Sequence, residues 1–350
     1  MKRRNFLKAG VGGAVLSPVV APAIAQGARS ARLLTAHPEA AATLSTRLSS
    51  LGVASLNIEV ETVPGTDEAS LLDRVSSGDA DLCLASLDQF WDTSPAFSLF
   101  ASIPFGMNSS ELESWVSVSE GRDMLDQLGN RVGVRLWFAN DYGGRPIWMR
   151  NAIASLQDLA SASVGSTGVG IKLFQAVGVA SVVDIADQNT NWSDLDIIEG
   201  ASLAQMENAN LLSDFKFVSG SNPVRPSAML SLGANEAFAS GLSEAELLIL
   251  QRACSAELAL SRSTSFYQNA LSMSDGDEST EVVEIPADVW NGINSEAQTI
   301  LTEIFDSGRD EASIVDAYIY FLTDAVRWSD IGEAAYYAGR KRLFANLAGR

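Results

Sequence analysis

Short apolar runs alternate with helix-like runs between residues 31 and 86, and this alternation restricts the fold more than any other feature of the sequence. ARLLTAH, LNIEVETV and DADLCLAS have the apolar or period-two patterns of strands. Glu39–Leu51 has helical spacing, and Asp67 is the predicted N-cap of a second helix that stops at Gly78. Because strands joined by helical crossovers run parallel, this β-α-β-α-β order predicts an α/β sheet.

A second α/β pattern begins at Ser155. It contains a short helix in SLQDL, a strand in ASVG, a helix at Val169–Val177 that ends at Gly178, strands in ASVVDIA and DLDIIEG, a helix at Ser202–Leu212 and a strand in DFKFVSG. Between the two patterns we predict one helix at Ser110–Leu128, stopped by Gly129, and strands in RVGVRLWFA and RPIWMR. A chain of 350 residues exceeds what one core usually supports, so two lobes with a cleft between them are expected.

A long helix follows the second pattern. Ser243 and Glu246 have the spacing of a capping box, and apolar positions recur from Leu247 for about 30 residues. A helix of that length extends for about 45 Å, too far for one lobe, so we predict that it spans both. Three further helices are predicted at Ala287–Asp306, Glu311–Trp328 and Ile331–Leu347.

The first ten residues contain four cations and no acid, although the whole chain has a formal net charge of −19. The uncharged run after them contains Gly and Pro and is shorter than a membrane span, which needs about 20 residues. Its ending, AIA at residues 23–25, is typical of a signal-peptidase site. RRNFLK at residues 3–8 resembles the twin-arginine export signal, although Lys2 stands where that signal usually has Ser or Thr. Residues 1–25 are therefore predicted to be an export signal.

The charge and the residue types exclude several classes of function. Loss of the leader makes the net charge more negative than −19, which repels nucleic acid and anionic lipid. His37 is the single histidine, at the end of a predicted strand where a structural role is favoured. Histidine-cluster metal sites and GxSxG, HExxH and CxxC motifs are absent, so we predict that the protein is not an enzyme. Cys83 and Cys254 lie in apolar runs and are predicted to be buried thiols, although export would permit a disulfide.

Five stretches of the mature chain carry a resemblance to one family and occur in the family's order. They are RVSSGDADLCLAS at 74–86, SPAFSLFASIPFGM at 94–107, WMRNAIASLQDL at 148–159, DIIEGAS at 196–202 and AVRWSDIGEAAYYAGR at 325–340. Together they resemble the solute-binding subunit of tripartite ATP-independent periplasmic (TRAP) transporters, the DctP-type family. The last stretch, with Trp328, Ile331 and Glu333, is similar to the branch of 2-oxo-acid binders.

The resemblance implies an α/β, two-lobe fold like that of periplasmic binding proteins, with a central cleft and a C-terminal helical extension. Such a receptor closes on a small organic acid in the periplasm and delivers it to a membrane permease. Hinge closure buries most of a small ligand, and a few polar groups fix its orientation. The implied division gives lobe one at 26–147 plus about 233–272, lobe two at 148–232 plus about 275–306, and C-terminal helices at 307–350.

The sequence departs from the family where the ligand would bind. Gly165 stands in the place of the arginine that grips the ligand carboxylate through two parallel hydrogen bonds. Asn222 and Val224 replace a tryptophan and a glutamate of the family. Glu199 is kept, but Gly200 follows it instead of a tryptophan. The family's cation site, which holds an ion such as sodium, is therefore reduced to Glu199 as a candidate metal ligand, and no other cofactor is implied.

Two interpretations of the altered site stay open. In one, a relocated arginine binds the carboxylate, with Arg145 as first candidate because the GGRP turn faces the presumed cleft, and Arg225 as second. In the other, the ligand is not a carboxylate or binding is lost, and both arginines are surface residues. Aromatic side chains at cleft-like positions are equally compatible with core packing. The complete set of candidate ligand-binding residues is Phe90, Trp91, Asn140, Arg145, Trp148, Glu199, Asn222 and Arg225.

The last predicted helices carry apolar stripes, as in DAYIYFLTDAVRW. In the branch that this sequence resembles, such a tail is exchanged between two subunits, which would make the protein a homodimer. The alternative is that the helices fold back on their own lobe and cover the stripes there. The sequence leaves both arrangements open.

Overall fold

The computed structural model describes residues 29–51, 56–219, 222–275 and 280–348, so the predicted export signal at 1–25 lies outside the described residues. The strands are β1 (Arg29–Thr35), β2 (Leu56–Thr62), β3 (Leu82–Ala85), β4 (Val134–Asp141), β5 (Trp148–Met149), β6 (Ser163–Ser166), β7 (Ser181–Asp184), β8 (Ile197–Ile198), β9 (Phe217–Ser219), β10 (Met229–Asn235) and β11 (Glu281–Val283). The helices are α1 (Pro38–Ser50), α2 (Leu71–Ser76), α3 (Ser109–Val118), α4 (Gly121–Arg131), α5 (Leu156–Ser161), α6 (Gly168–Ala176), α7 (Leu203–Asn208), α8 (Glu236–Ser240), α9 (Glu244–Asp275), α10 (Ala287–Asp306), α11 (Arg309–Ser329) and α12 (Ala335–Ala348).

The first sheet has the strand order β2-β1-β3-β10-β4. β1 pairs in parallel with both β2 and β3, as the alternating pattern at the start of the chain predicts. β10 lies between β3 and β4 and runs antiparallel to both. Sequence reasoning missed β10, because its burial on both faces from Met229 to Ala234 removes the period-two pattern of a half-buried strand.

The second sheet has the strand order β11-β9-β5-β8-β6-β7. β6 pairs in parallel with β7 and β8, whereas β5 runs antiparallel to β8 and β9. Trp148, Ile198, Met206 and Phe215 belong to an apolar cluster packed on this sheet. Two separate sheets with helices around them confirm the predicted two-lobe α/β class.

Two described segments connect the sheets. Residues 142–147 lead from β4 to β5, and residues 222–228 lead into β10 after the chain has left β9. We call them the first and the second crossing segment. Asn222 Nδ2 in the second segment donates to the backbone O of Arg145 in the first at 2.6 Å. The two connections therefore lie side by side, an arrangement that suits a hinge between two bodies.

Helix α9 extends along both sheets, as predicted for the long helix. The backbone N of Ser243 donates to Glu246 Oε2 at 2.8 Å, and the backbone N of Glu246 donates to Ser243 Oγ at 3.3 Å, which confirms the capping box. Cys254 in the first half of the helix packs into the core beside the first sheet. Ser272 near its end donates through Oγ to Glu207 Oε2 on α7 at 2.8 Å, beside the second sheet.

The prediction of a single helix at Ser110–Leu128 is wrong, since α3 and α4 share this stretch. Ser119 is extended and ends α3. Gly121 begins α4 where an added Cβ atom would lie 2.7 Å from the Trp115 ring, so the chain turns tightly over that ring. α4 also continues through the predicted stop at Gly129. The apolar pattern continues from α3 into α4 because each helix packs its apolar face against the same core.

The predicted N-cap at Asp67 is also wrong. Gly65–Ser70 forms a 3-10 turn, and α2 then begins without a side-chain cap. The turn places Glu68 in the interior, 3% exposed, where its Oε1 accepts a hydrogen bond from the backbone N of Ser86 at 2.7 Å. The predicted helix stop at Gly78 is confirmed, with a φ of +81° that glycine adopts readily.

Helices α11 and α12 form one continuous arm, joined by a π-helical segment at Asp330–Ala334. Ile314 and Tyr318 in the first half of the arm are buried. Large exposed apolar side chains follow in its second half: Val326, Trp328, Ile331, Tyr336, Tyr337 and Leu343. We call this set the arm surface, and it is not covered by the described part of the same chain. In the part of the chain that the structure describes, no helix has both the length and the apolarity needed to cross a membrane.

Candidate ligand-binding site

Polar residues that follow three strands meet at one place between the two sheets. Asp88 comes after β3 of the first sheet, whereas Thr167 and Glu199 come after β6 and β8 of the second. The loops at the carboxyl ends of parallel strands are where open α/β sheets position ligand-binding groups. Arg225 reaches the same place from the second crossing segment. We call Asp88, Thr167, Glu199 and Arg225 the Arg225 cluster.

The guanidinium of Arg225 connects the two sheets. Its Nη1 donates to Asp88 Oδ2 at 3.2 Å, its Nε to Glu199 Oε1 at 3.2 Å and its Nη2 to the backbone O of Thr167 at 2.7 Å. Asp88 and Glu199 are 1% and 0% exposed, and Arg225 is 8% exposed. Burial alone would lower the pKa of Arg225, but the charges of Glu199 and Asp88 outweigh it and raise that pKa. Because the three buried charges are paired with one another, their attraction offsets the free-energy cost of removing them from water.

Glu199 has hydrogen-bond donors on both carboxylate oxygens. Oε1 accepts from Asn222 Nδ2 at 3.0 Å in addition to Arg225, and Oε2 accepts from Ser166 Oγ at 2.6 Å. The structure thus brings Glu199, Asn222 and Arg225 together, three residues that the sequence proposed separately. Sequence reasoning did not identify Asp88 or Ser166. Their position at or just after the carboxyl end of a buried strand was the signal that could have found them.

Arg145 lies beside the cluster without a carboxylate partner. Its Nη1 donates to the backbone O of Gly200, and its guanidinium carbon lies 4.8 Å from the centre of the Tyr142 ring. Nε is buried and has no hydrogen-bond partner among the described residues, whose ion pairs do not include Arg145. Burial, and then the positive charge of Arg225, lower the pKa of Arg145, but an arginine stays protonated at neutral pH. Arg145 is therefore a half-buried cation with unused hydrogen-bonding capacity.

A chain of polar contacts fixes the Tyr142 ring against Arg145. Tyr142 Oη lies 3.2 Å from His37 Nδ1, and His37 Nε2 lies 3.1 Å from Glu68 Oε1. Burial raises the pKa of Tyr142 to about 12, so its hydroxyl is neutral at neutral pH. The single histidine therefore holds a structural position at the end of β1, as its place in the sequence favours, but that position supports the candidate site.

The two aromatic candidates after β3 lie in different surroundings. Phe90 is 1% exposed and packs edge to face on Phe97, with ring centroids 6.2 Å apart, so it is a core residue. Trp91 is only half-buried, and Lys172 Nζ on α6 lies 4.9 Å from its ring centre. Trp91 therefore contacts a helix of the second sheet, whereas Phe90 stabilises the first.

Trp148 and Asn140 are both buried near the crossing segments. Trp148 Nε1 donates to the backbone O of Ala201 at 2.9 Å, and its ring belongs to the core of the second sheet. Asn140, at the end of β4, is 5% exposed, and its Oδ1 has no hydrogen-bond partner among the described residues. Trp148 thus packs in the core of the second sheet, and Asn140 has a buried acceptor without a described partner at the end of β4.

Gly165 in β6 has no room for a side chain. An added Cβ atom would lie 2.4 Å from Ile185 Cγ2 and 2.5 Å from Leu195 Cδ1. An arginine at this position would displace both apolar side chains from the face of the second sheet. Packing therefore excludes an arginine at position 165, and an arginine that bound a carboxylate would have to lie at another position.

The Arg225 cluster does not fit a metal ion. Hard cations take six or more oxygen ligands in a close shell, whereas the guanidinium fills the space between the Asp88 and Glu199 carboxylates. In the described residues, no group of three or more His, Cys, Asp or Glu side chains is arranged to hold a metal ion. Glu199 as a metal ligand would require Arg225 to leave.

A groove of about 750 Å³ lies elsewhere, against β4 at the edge of the first sheet. Side chains of α3, α4, β4 and α9 line it, among them Arg135, Trp137 and Leu258. None of the candidate ligand-binding residues is part of its lining. The candidate site is therefore defined by converging buried charges at the junction of the sheets and not by this groove.

Solved structures of known proteins have the two-sheet fold described above. No protein-family model matches the sequence. A solved TRAP transporter solute-binding protein from Bordetella bronchiseptica superposes with a TM-score of 0.80 at 18% identity, over 92% of this chain and 99% of that chain. The chain has the fold of the TRAP solute-binding proteins. The Bordetella protein is a mixed-occupancy dimer, with calcium and picolinate in one active site and the other site apo.

Two further solved structures, the first of them a TRAP periplasmic solute-binding protein, have the same fold. One, from Pseudoalteromonas atlantica, contains sodium and pyruvate and gives a TM-score of 0.79 at 16% identity, over 89% of this chain and 99% of that chain. The other is DctP7 of Bordetella pertussis, an extracytoplasmic receptor that binds pyroglutamic acid, with a TM-score of 0.66 at 15% identity, over 83% of this chain and 99% of that chain. The chain spans almost the whole length of each.

Proposed function

We propose that this protein is the extracytoplasmic solute-binding receptor of a TRAP transporter, which captures a small organic acid between its lobes and delivers it to a membrane permease. The TRAP fold, the five sequence stretches and the buried cations at the junction of the sheets support this proposal. Picolinate, pyruvate and pyroglutamate, the ligands of the three similar proteins, are all small organic acids. The proposed role involves capture and release without catalysis.

The observation that carries the proposal is the unpaired state of Arg145. A half-buried guanidinium with a free Nε favours an anion, because a carboxylate would supply both the missing charge and the missing acceptor. Arg225 is already shared by Asp88 and Glu199, so Arg145 provides the one guanidinium among the candidate residues that has no carboxylate partner in the described part of the chain. We therefore propose a monocarboxylate as ligand, since a dicarboxylate would need a second free cation.

A second candidate function is favoured by the same cluster. The Asp88 and Glu199 carboxylates already neutralise Arg225, and Gly165 leaves no room for the family's clamp. A site of this kind suits a polar ligand without a carboxylate, or a protein that has kept the fold for an interaction. The panel described below separates these functions from the first.

The cellular setting of the proposal follows from the export signal and the fold. We propose that residues 1–25 direct export by the twin-arginine route and that the mature receptor works in the periplasm. The proposed lobe boundaries remain those of the sequence, with 26–147 plus about 233–272 in lobe one, 148–232 plus about 275–306 in lobe two, and 307–350 in the arm. Its partners are the permease subunits, to which the closed, loaded receptor would bind.

We also propose that the receptor is a homodimer through the arm surface. Trp328 and Ile331 are 66% and 75% exposed, and Tyr336 is 60% exposed, on one short stretch of helix. Exposed apolar clusters of this kind mark interaction sites. A second copy of the same arm is the occupant that the resemblance to a tail-exchanging branch favours.

Scanning calorimetry with a ligand panel tests the proposed function. The mature protein would be unfolded in buffer that contains NaCl and CaCl₂ with pyruvate, lactate, pyroglutamate, picolinate, succinate and 2-oxoglutarate, and with neutral amides as a control. A ligand at about 100 times its Kd adds about 2.7 kcal/mol to the free energy of unfolding. The proposal predicts stabilisation by one or more monocarboxylates. Stabilisation by an amide alone would favour the non-carboxylate function, and a flat response to every compound would contradict the receptor function.

A further inference from the structure

We propose that Arg225 is a built-in cation, so that this receptor binds its ligand without the sodium or calcium ion found in similar structures. The inference rests on the proposed function, because it concerns the same site. It goes beyond that function, since it assigns to a side chain of this protein the charge that a metal ion supplies elsewhere.

Arg225 contacts the kinds of group that a bound metal cation would contact. The guanidinium lies between one carboxylate from the first sheet and one from the second, Asp88 and Glu199, both fully buried. Its third contact is a backbone oxygen, that of Thr167, which is a common ligand type for hard cations. Three oxygen acceptors from two sheets thus converge on one positive centre, and the centre is a guanidinium.

Other side chains also donate hydrogen bonds to the two carboxylates. Ser86 Oγ donates to Asp88 Oδ1, Ser166 Oγ donates to Glu199 Oε2, and Asn222 Nδ2 shares Glu199 Oε1 with Arg225. A metal ion would have to displace these donors and approach the positive guanidinium. Electrostatic repulsion at such short range in a buried site opposes that strongly. Ion binding and the observed position of Arg225 therefore exclude each other.

The contacts of Arg225 also predict the effect of removing its side chain. Two buried carboxylates from opposite sheets would face each other without a counter-charge, which destabilises this junction of the two sheets. The same two carboxylates with the Thr167 carbonyl oxygen would then form a partial oxygen shell that water can complete, and this suits Ca²⁺. Loss of Arg225 is therefore expected to create a dependence on calcium that the natural protein lacks.

The experiment compares calcium responses of four proteins by thermal unfolding after EDTA treatment, without any organic acid. In the wild type, 5 mM CaCl₂ is expected to leave the Tm unchanged. Arg225→Met is expected to have a lower Tm, which CaCl₂ raises by about 5 °C or more. The double variant Arg225→Met/Glu199→Gln removes one of the carboxylates and is expected to lose this response.

Arg47→Met is the matched control. Arg47 Nε lies 2.6 Å from Glu257 Oε2, and Glu257 is 3% exposed, so this variant also leaves a buried carboxylate unpaired, but only one. It is expected to be less stable than the wild type and to remain insensitive to CaCl₂. A calcium response equal to that of Arg225→Met would show a general effect of unpaired acids and would overturn the proposal.

If Arg225→Met does not fold, the wild type and Glu199→Gln decide the question. A wild-type Tm that rises with CaCl₂ or NaCl above matched choline chloride, with the rise lost in Glu199→Gln, overturns the built-in cation. An unchanged wild-type Tm supports it. Neither result depends on the organic-acid panel. A protein that binds no acid can still have a built-in cation. A receptor that needs calcium would contradict this inference and leave the proposed function standing.

Discussion

Arg131 on α4 donates through Nη2 to Glu311 Oε1 on α11 at 2.5 Å, and this ion pair joins the start of the C-terminal arm to the first sheet's helices. Ser94 Oγ donates to the same carboxylate oxygen at 3.1 Å. The hydrogen bond from Arg131 lowers the pKa of Glu311 below its usual value of 4.5, against the opposing effect of burial.

The first prediction concerns pH and this pair. A carboxyl group whose pKa is lower in the folded state stabilises the fold above its unfolded pKa, and that contribution is lost as the pH falls below 4.5 through the folded pKa. Because Arg131 is partly exposed, Arg131→Met is expected to lower the free energy of unfolding by about 1 kcal/mol at pH 7. Urea unfolding at pH 7 and pH 3 checks this, and a difference of the same size at both pH values would disprove it.

The second prediction concerns the hydrogen bonds of Asn222, which joins the crossing segments. Asn222→Ala removes the donor to the Arg145 backbone O and one donor to the buried Glu199. The loss is expected to lower the free energy of unfolding by about 1–3 kcal/mol, because buried acceptors are left unsatisfied. Chemical denaturation followed by circular dichroism measures it. Asn130→Ala, at an exposed helical position, is the control and should have little effect.

The third prediction concerns the two cysteines. Cys83 and Cys254 are each 1% exposed, and burial raises the pKa of both thiols to about 12. At pH 8 only about one thiol in ten thousand would then be a thiolate, the reactive form. Ellman's reagent is expected to label neither cysteine in the folded protein and both in 6 M guanidinium chloride. Rapid labelling of the native protein would contradict the buried environment.

The fourth prediction concerns the arm surface and the proposed homodimer. Ile331→Glu places a charge in the middle of this surface and is expected to convert a dimer into a monomer, because an unpaired charge opposes burial between subunits. Light scattering after size-exclusion chromatography measures the mass. Glu333→Gln, in the same π-helical segment, is the control and should stay dimeric. A wild type that is monomeric at all concentrations would remove the proposal.

Local patterns predicted the elements well where periodicity was strong. The parallel strands β1 to β3, the stop at Gly78 and the capping box of Ser243 all agree with the sequence. The break at Ser119 was missed because an apolar pattern that continues does not show where one helix ends and the next begins. The strand β10 was missed because a short apolar run does not distinguish a buried strand from a buried helix.

The candidate site was predictable only in part, because it depends on contacts between distant segments. Glu199, Asn222 and Arg225 were identified through their place in a family pattern. Asp88 was not, because its partner Arg225 lies 137 positions away along the chain. Whether an arginine has a carboxylate partner likewise depends on how the chain folds. Among the described residues, Arg225 has two such partners and Arg145 has none, a difference that the sequence does not reveal.

The central claim is that Arg145 binds the carboxylate of the ligand, and isothermal titration with the best monocarboxylate of the panel tests it most directly. Arg150→Met is the control, because Arg150 also lies over an aromatic ring, 4.6 Å from the centre of Phe215, and also donates to backbone oxygens, but already has a carboxylate partner, with Nη1 3.3 Å from Asp214 Oδ2. We predict that Arg145→Met weakens binding about 100-fold or more, the effect of removing a partner from a buried charge pair, while Arg150→Met binds like the wild type. Equal affinity of the wild type and Arg145→Met would contradict the claim.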